Sequence, residues 1–205
     1  MRSSNFAVVF LAACAVCSGA AGAGFDAAAA GLSEEEAKDG FVGLFDGRSL
    51  NGWQGDTAGY EARDGVLVCT KSGRALQTEK SYGNFILRFD YKLQPGGNNG
   101  INIRGMEIQI LDDDAPKHAH LKPCQYHGSI YCRVPAERGH QKPVGEWNRQ
   151  EILVDGKHVK VTLNGAVIVD AETDHPALTR PPGPIGFKGH HEHVEYRNLR
   201  IKELP

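Results

Sequence analysis

Short runs of alternating apolar and polar residues, separated by turn signals, are the feature that most constrains this fold. The clearest run is Phe85–Leu93, FILRFDYKL, in which every odd-numbered position is apolar. Since the side chains of a strand point alternately to its two faces, this pattern predicts a half-buried strand with charged residues such as Asp90 outward. A Pro-Gly-Gly sequence at 95–97 then ends the run.

Hairpin signals organise the second half of the chain. Asp155-Gly156 and Asn164-Gly165 each separate alternating apolar runs, and both dipeptides favour the positive φ angles of two-residue hairpin turns. They predict a meander of three antiparallel strands. The chain has about a dozen such runs without βαβ alternation, and its 25 glycines and 10 prolines fit a turn-rich protein. These features predict an all-β sandwich or jelly roll.

Length and charge narrow the classes of function. A chain of 205 residues is expected to form one domain with a self-sufficient core. The net charge is −2 and no basic tract is present, so we expect no nucleic-acid partner.

The first residues indicate export. Arg2 precedes the apolar run Phe6–Val16, and small residues at 21–23 supply a signal-peptidase site. They predict a signal peptide over residues 1–23, with Gly24 as the mature N-terminus of a periplasmic or secreted protein. The alternative is a lipoprotein anchored at Cys14, since the preceding residues resemble a lipobox. No later stretch is long and apolar enough to span a membrane.

Residues 24–40 predict a linker or a short first helix ahead of the domain, which covers 41–205. Ser33 and Glu36 have the spacing of a capping box, and the helix is expected to reach Lys38. Cys124 and Cys132 flank a short segment, and export permits a disulfide between them. Cys69 lies in an apolar run and is expected to be a buried, inert thiol.

The stretch Gly105–Asp114, GMEIQILDDD, carries the strongest polar candidates. Its apolar residues at 106, 108 and 110 are predicted to face one side of a strand, and Glu107 and Gln109 the other. A solvated outer sheet face is the ordinary alternative. The preceding run, Asn98–Arg104, alternates in the same way, and His127–Val134 is predicted to form a further strand.

An ordered set of motifs carries a family resemblance. The motifs are Phe41-x-x-Leu44-Phe45-Asp46-Gly47-x-x-Leu50-x-Gly52-Trp53, Gly97-Asn98-x-Gly100-Ile101-x-x-Arg104, Glu107-x-Gln109-Ile110-Leu111-Asp112, Gly128-x-Ile130-Tyr131, Pro143-x-Gly145-Glu146-Trp147-Asn148, Leu163-Asn164-Gly165 and Val194-Glu195-Tyr196-Arg197-Asn198-Leu199. Together they resemble the 3-keto-disaccharide hydrolase domain, over Phe41 to Leu204. The resemblance implies a concanavalin A-like jelly-roll sandwich of two antiparallel sheets.

The resemblance also implies a reaction on a carbohydrate substrate. It implies glycoside cleavage after a partner sugar 3-oxidoreductase has oxidised the sugar at C3. A ketone at C3 acidifies the proton on C2, so a base can remove it and expel the C1 substituent, and water then adds. One divalent metal ion of unknown identity can stabilise the enolate, and no organic cofactor is expected.

Candidate roles follow from the side chains. Glu107 suits the catalytic base or a metal ligand, and Arg104 can offset charge on the enolate oxygen. His127 is the preferred histidine for acid–base work or metal binding. Asp112 is a tentative third metal ligand, although strand-end aspartates often only shape turns. Gln109 can hold a sugar hydroxyl or the metal.

Five further residues are candidates for binding the sugar. Tyr131, predicted on the same strand face as His127, can donate a hydrogen bond, and Trp147 can stack on a sugar ring unless it is a core residue. His190 matches a histidine of the family pattern, whereas Lys188 stands where the family more usually has Gln. The candidates for binding the sugar are Asn98, Tyr131, Trp147, Lys188 and His190, together with Gln109.

Three other functions remain open from the residues alone. Two carboxylates drawn from Glu107, Asp112 and Glu146 can serve ordinary glycosidase chemistry. The same sandwich can be a non-catalytic carbohydrate-binding module. The aspartates at 112–114 can instead supply oxygen ligands to a calcium ion that stabilises an interaction domain.

Overall fold

The computed structural model describes residues 31–205. The predicted signal peptide, the Cys14 lipidation alternative and the first part of the predicted linker lie outside these residues. Within the described residues, no helix combines the length and the apolar character needed to cross a bilayer.

The described part of the chain consists almost entirely of strands. One α-helix, α1 (Glu34–Lys38), precedes them, and short 3₁₀ turns occupy Thr57–Gly59, Pro116–His118, Pro123–Gln125 and Pro176–Thr179. The strands are β1 (Val42–Gly43), β2 (Trp53–Gly55), β3 (Tyr60–Arg63), β4 (Val66–Cys69), β5 (Ala75–Tyr82), β6 (Phe85–Leu93), β7 (Asn98–Ile103), β8 (Met106–Leu111), β9 (Asn148–Asp155), β10 (His158–Leu163), β11 (Ala166–Glu172), β12 (Gly183–Lys188) and β13 (Val194–Glu203).

Two antiparallel sheets pack as a sandwich, which confirms the predicted fold class. Among residues 31–205, the large sheet has the order β11-β10-β9-β6-β13-β4-β3, with β1 also paired to β13. The small sheet has the order β2-β5-β12-β7-β8. The predicted meander is β9, β10 and β11, and Asn164 and Gly165 both take positive φ, 50° and 93°, at its second turn.

The core lies between the sheets, and β6 supplies much of it. All five apolar residues at the odd positions of Phe85–Leu93 are buried, as the alternation predicts. Asp90 was predicted to be exposed but is only 5% accessible. Its carboxylate accepts hydrogen bonds from Arg149, Arg197 and Asn198 (2.7 Å from Asn198 Nδ2), and these partners offset the cost of burying the charge.

The helix α1 docks on the large sheet through one carboxylate. Ser33 and Glu36 form the predicted capping box, and the helix ends at Lys38. Glu36 Oε1 also accepts from Arg88 Nη1 (3.0 Å) and Arg200 Nε (2.8 Å), which lie on β6 and β13. The side chain of Arg200 is only 5% exposed, so Glu36 neutralises an almost buried charge.

The segment His127–Val134 does not form the regular strand that the sequence predicts. The segment runs along the free edge of β8 with backbone hydrogen bonds to Glu107 and Gln109. Gly128 and Cys132 take positive φ angles, 77° and 57°, which an extended strand cannot accommodate. The segment is therefore an irregular cover for the sheet edge, and Tyr131 does not share a strand face with His127.

The cysteines of the described residues are free thiols. Cys69 is buried, as predicted, and burial raises the pKa of its thiol. The backbone N–H of Cys132 donates to the carbonyl of Cys124 over 2.8 Å, so these two residues are neighbours without being joined.

We predict that Glu36→Gln destabilises the fold by about 1–3 kcal/mol, because it leaves the nearly buried Arg200 without a negative partner. Glutamine preserves the capping box, so the loss isolates the ion pairs. Urea unfolding at pH 7 measures the effect. Glu35→Gln removes the same charge from an exposed position of the same helix and should leave the midpoint unchanged. Equal midpoints for the two variants would contradict the proposed role of Glu36.

Candidate active site

A single row of residues crosses the small sheet. The strand register places residues opposite one another from β2 to β8, in the order Gln54, Gln77, Gly186, Asn102 and Glu107. We call these five residues the polar row. Gly186 at the centre has no side chain, and a Cβ atom built there would overlap the backbone of Leu76 and Gln77 on β5.

The polar row faces away from the core. Its immediate neighbours along the strands are Leu76, Phe187, Ile101 and Ile108, which are at most 3% exposed between the two sheets. Because side chains alternate along a strand, the row lies on the opposite, outer face of the small sheet. This face can bind a ligand with many hydroxyl groups without disturbing the core.

Glu107 and two basic side chains form the chemical centre of this face. Lys188 Nζ lies 2.7 Å from Glu107 Oε2, and His190 Nε2 lies 3.8 Å from Oε1, which is too long for a hydrogen bond. The side chain of Glu107 is 9% exposed, against 38% for Lys188 and 44% for His190. The carboxylate is therefore recessed beneath two accessible basic groups.

The basic neighbours keep Glu107 ionised. Burial alone would raise the pKa of Glu107, but the interactions with His190 and Lys188 outweigh burial and lower it. Lys188 makes the shorter contact and is the stronger anchor. A carboxylate of lowered pKa is present as its base form at neutral pH but is a weak base while the lysine holds it.

Gly100 leaves the space that the carboxylate fills. It lies on β7 next to Glu107 of β8, and a Cβ atom built there would overlap the Glu107 side chain. The space that the Glu107 side chain occupies thus explains why the family motif Gly97-Asn98-x-Gly100 has a glycine at position 100. Any larger residue must displace the carboxylate from its present position.

Gln109 is part of the wall of the site. Its Nε2 donates to the carbonyl of Gln125 over 3.3 Å, and its Oε1 accepts from the N–H of Ile110. Gln125 in turn donates to the hydroxyl of Tyr131 over 2.8 Å. With Gln109 only 4% exposed, these contacts fix the edge loop, whereas the half-buried Tyr131 lies at the rim.

His127 lies inside the sandwich and is not brought to Glu107. Its Nδ1 accepts from the N–H of Leu111 (3.3 Å), and its Nε2 lies 3.0 Å from Gln150 Oε1 and 3.1 Å from the Tyr91 hydroxyl. The backbone donor fixes a neutral ring protonated at Nε2. Burial lowers the pKa of His127 to about 3. With 2% exposure, its placement supports a structural role and contradicts contact with a substrate.

The three tentative metal ligands do not meet. Asp112 uses its carboxylate to accept from the backbone N–H groups of Gly96 (2.7 Å) and Asp114 (3.3 Å), so it shapes a turn. Among residues 31–205, no group of three or more His, Cys, Asp or Glu side chains is arranged to hold a metal ion. The donors present do not fit the predicted metal, and no step of the chemistry below is assigned to one.

Within residues 31–205, Arg104 has side-chain donors and Asn98 has a side-chain acceptor that form no hydrogen bond. Arg104 occupies the two-residue turn between β7 and β8 with φ 54°, and its Nη1 donates to the carbonyl of Arg180 over 3.4 Å. No contact joins Arg104 to Glu107 among the described residues, so its predicted position beside the base is not found. The buried Oδ1 of Asn98 also has no hydrogen-bond partner in residues 31–205.

Trp147 lies on the other side of the molecule. Its ring is covered by the cations of Arg197 (4.1 Å) and Lys92 (4.8 Å) of the large sheet. It lines a cavity of about 510 Å³ there, with Asp90 and Asn164 among the other lining residues. Stacking of Trp147 on a sugar held at Glu107 is therefore contradicted, because the two residues lie on opposite outer faces of the sandwich.

Sequence reasoning missed two members of the polar row and one pairing. Gln54 and Gln77 were not singled out, although Gln77 lies between the buried residues Leu76 and Thr78, an alternation that is visible in the sequence. The ion pair of Lys188 with Glu107 joins strands far apart in the chain. Only the sheet order reveals that pairing.

Known proteins match most of this chain. Residues 40–202 match the model of the 3-keto-alpha-glucoside-1,2-lyase-like domain. The chain is 28% identical to a 3-keto-disaccharide hydrolase of Bacteroides thetaiotaomicron, over 81% of this chain and 79% of that protein. Two crystal structures described as glycosyl hydrolases of Parabacteroides distasonis are also similar. One has a TM-score of 0.76 with 27% identity, covering 85% of this chain and 98% of that one. The other has a TM-score of 0.71 with 28% identity, covering 80% and 99%.

The buried, neutral His127 predicts acid sensitivity of the fold. Its pKa is about 3 in the folded state and about 6.5 when unfolded, so the unfolded chain binds more protons between these values. Stability from this residue is complete above pH 6.5 and falls as the pH decreases, by about 2 kcal/mol between pH 6.5 and 5. In His127→Gln that part of the slope should vanish. Urea unfolding at several pH values tests this, with the exposed His191→Gln as control, and identical slopes in all three proteins would contradict it.

Proposed function

The chain belongs to the 3-keto-alpha-glucoside-1,2-lyase-like domain family, a family of glycoside-acting enzymes, and we propose that it cleaves 3-keto-glycosides by elimination and hydration. The observation that carries this proposal is the recessed Glu107 carboxylate beneath Lys188 and His190. The curated relative named as a 3-keto-disaccharide hydrolase supports the choice of substrate class.

The reaction needs a base, a positive group and an acid. Removal of the C2 proton leaves an electron pair that is delocalised onto the C3 carbonyl oxygen as an enolate. That pair then forms the C1–C2 double bond while the C1–O bond breaks, and the leaving oxygen takes a proton. Water next adds its oxygen to C1 and a proton to C2, so the ketone is restored without net oxidation.

The geometry supports specific roles for the three side chains. Glu107 is the base for the C2 proton, since it is ionised and recessed beneath Lys188 and His190. Lys188 donates to the developing enolate oxygen, because its ammonium group has further donors besides the one directed at Glu107. His190, whose side chain is exposed above Glu107, protonates the leaving oxygen.

The remainder of the polar row fits recognition of sugar hydroxyls. Asn102 and Gln77 are half-buried side chains on the same outer face as Glu107. The hydroxyl of Tyr131 offers a further hydrogen-bonding group, since the backbone N–H of Tyr131 donates to the carbonyl of Glu107, whereas Asn98 pairs with Leu111 four residues farther along β8. Such amide and hydroxyl groups bind and orient a sugar without carrying charge.

The substrate class also implies a partner and a compartment. A 3-keto-glycoside must be supplied by a sugar 3-oxidoreductase, which removes two electrons and two protons from the C3 alcohol. The apolar N-terminal run and its small-residue cleavage site support export to the periplasm or the medium.

We expect Glu107→Gln to lower the rate of 3-keto-glycoside cleavage by about 10²-fold or more, because an amide cannot take the C2 proton. Gly100→Ala should also reduce the rate, because its Cβ displaces the carboxylate. The exposed Glu61→Gln should match the unmodified protein. Product analysis in D2O should find deuterium at C2 of the released 3-keto sugar.

The unoxidised parent glycoside is the decisive control for this assay. Cleavage of the parent alone, or products without deuterium at C2, would overturn the elimination mechanism. If neither glycoside is cleaved while sugar binding persists in both Glu107→Gln and the unmodified protein, the chain is a carbohydrate-binding module. Repeating the assay with a chelator tests the metal expectation.

Export predicts a defined mature N-terminus. Protein recovered from the cells that make it should begin at Gly24, which N-terminal sequencing or intact mass measures. A chain that begins at a lipidated Cys14 would instead identify a lipoprotein. An unprocessed Met1 would contradict export through this segment.

A further inference from the structure

Two arginines lock together at the tip of the β7–β8 hairpin. Arg104 Nη1 donates to the carbonyl of Arg180 over 3.4 Å, and Arg180 Nη1 donates to the carbonyl of Arg104 over 2.9 Å. The stem of Arg104 also packs on Gly183, where a Cβ atom would lie 2.9 Å from its Cγ. These reciprocal contacts hold each guanidinium group against the backbone of the other arginine, and we call the pair the arginine tip.

No negative side chain balances the arginine tip. Within residues 31–205, neither Arg104 nor Arg180 lies within ion-pair distance of a carboxylate. One further positive group lies nearby, because the charge of Arg133 adds to burial and to Arg180 in lowering the pKa of His175. Burial likewise lowers the pKa of Arg104. The local charge is therefore positive.

Part of the Arg104 guanidinium is desolvated without compensation. Its Nε and Nη2 are buried and have no hydrogen-bond partner among the described residues. A buried donor without an acceptor costs about 1–3 kcal/mol, and more when it is charged. An oxyanion that accepted from these nitrogens would recover that cost and would fit the planar fork of the arginine in a bidentate manner.

The arginine tip lies at the end of the sheet that carries the polar row. Arg104 follows Asn102 of that row by two residues, in the turn after β7, so their Cα atoms are at most about 7 Å apart. Gly183, under the stem of Arg104, is in the same strand as Gly186 of the row. An acidic group on a carbohydrate held at the row is therefore within reach of this end of the sheet.

We propose that Arg104 and Arg180 form an oxyanion site that takes the carboxylate or phosphate group of an acidic carbohydrate. The assignment of the anion to a carbohydrate rests on the proposed function, whereas the oxyanion site itself rests on the two arginines. It gives Arg104 a role in substrate selection in place of the predicted role at the enolate.

Titration by NMR tests the site directly, because arginine Nε–H signals report on contact. The probes are glucuronate, glucose 6-phosphate, inorganic phosphate and neutral glucose, added to the folded chain at pH 7. We expect the Arg104 Nε–H signal to shift saturably with at least one acidic sugar, with an affinity about tenfold or more above that of glucose. Glucuronate and glucose 6-phosphate distinguish a carboxylate source from a phosphate source, and inorganic phosphate shows how much the anion contributes alone.

Charge-matched variants separate the site from general electrostatics. Arg104→Gln and the exposed Arg180→Gln should each weaken binding of the acidic sugar about tenfold, and Arg104→Lys should restore part of it. Arg63→Gln removes the same charge from an exposed strand elsewhere and should change nothing. If Arg104→Gln does not fold, Arg180→Gln decides the matter.

Two results would overturn the oxyanion site. One is an Arg104 signal that no acidic probe shifts, and the other is equal weakening by Arg63→Gln and Arg180→Gln. Binding of the acidic sugar by Glu107→Gln separates this inference from the proposed reaction. If the acidic sugar is still bound but the unmodified protein does not cleave 3-keto-glycosides, the proposed reaction alone is refuted. If the unmodified protein cleaves them without a preference for acidic sugars, the oxyanion site alone is refuted.

Discussion

The register of the small sheet is the constraint on which the site depends. Ile108 and Ile101 are fully buried partners across β8 and β7, and the next pair along is Glu107 with Asn102. A slip of one residue would turn Glu107 into the core and Ile108 outward, at the cost of a buried charge and an exposed isoleucine. Core packing therefore determines where the carboxylate lies, and the position of the site follows from the hydrophobic pattern of these two strands.

A second constraint is the free edge of β8, which the chain covers with its own loop. The segment 126–131 gives and accepts backbone hydrogen bonds along Glu107 and Gln109, and Gln125 ties Gln109 to Tyr131. His127 anchors this loop by inserting its ring between Tyr91 and the backbone of Leu111. The cover protects an otherwise exposed edge and places Gln109 and Tyr131 beside Glu107. Packing and site are thus built by the same residues.

Local patterns predicted the strands well because alternation and turn residues act over a few positions. The bounds of β6, the hairpin at Asn164-Gly165 and the capping box of α1 were all visible in the sequence. His127 and Trp147 were misjudged, because the same residue type serves in a core, on a surface or at a site, and only the tertiary neighbours decide. The polar row could not be read from the chain, since sheet order brings Gln77, Gly186 and Glu107 together. Glu107 could be singled out because its motif is local, and its catalytic role stays a prediction.

The ion pair at Glu107 also suggests how the proposed reaction distinguishes an oxidised sugar from its parent. While Lys188 holds the carboxylate at 2.7 Å, the pKa of Glu107 stays low and the carboxylate is a poor base. In the proposed reaction, the C3 oxygen of a keto sugar accepts from Lys188 and acquires negative charge as the C2 proton leaves. As Lys188 donates a second N–H to that oxygen, its hold on Glu107 weakens, so the basicity of Glu107 rises when it is needed. An unoxidised sugar develops no such charge and leaves the ion pair intact, so selectivity follows from the same contact that keeps the resting site inactive.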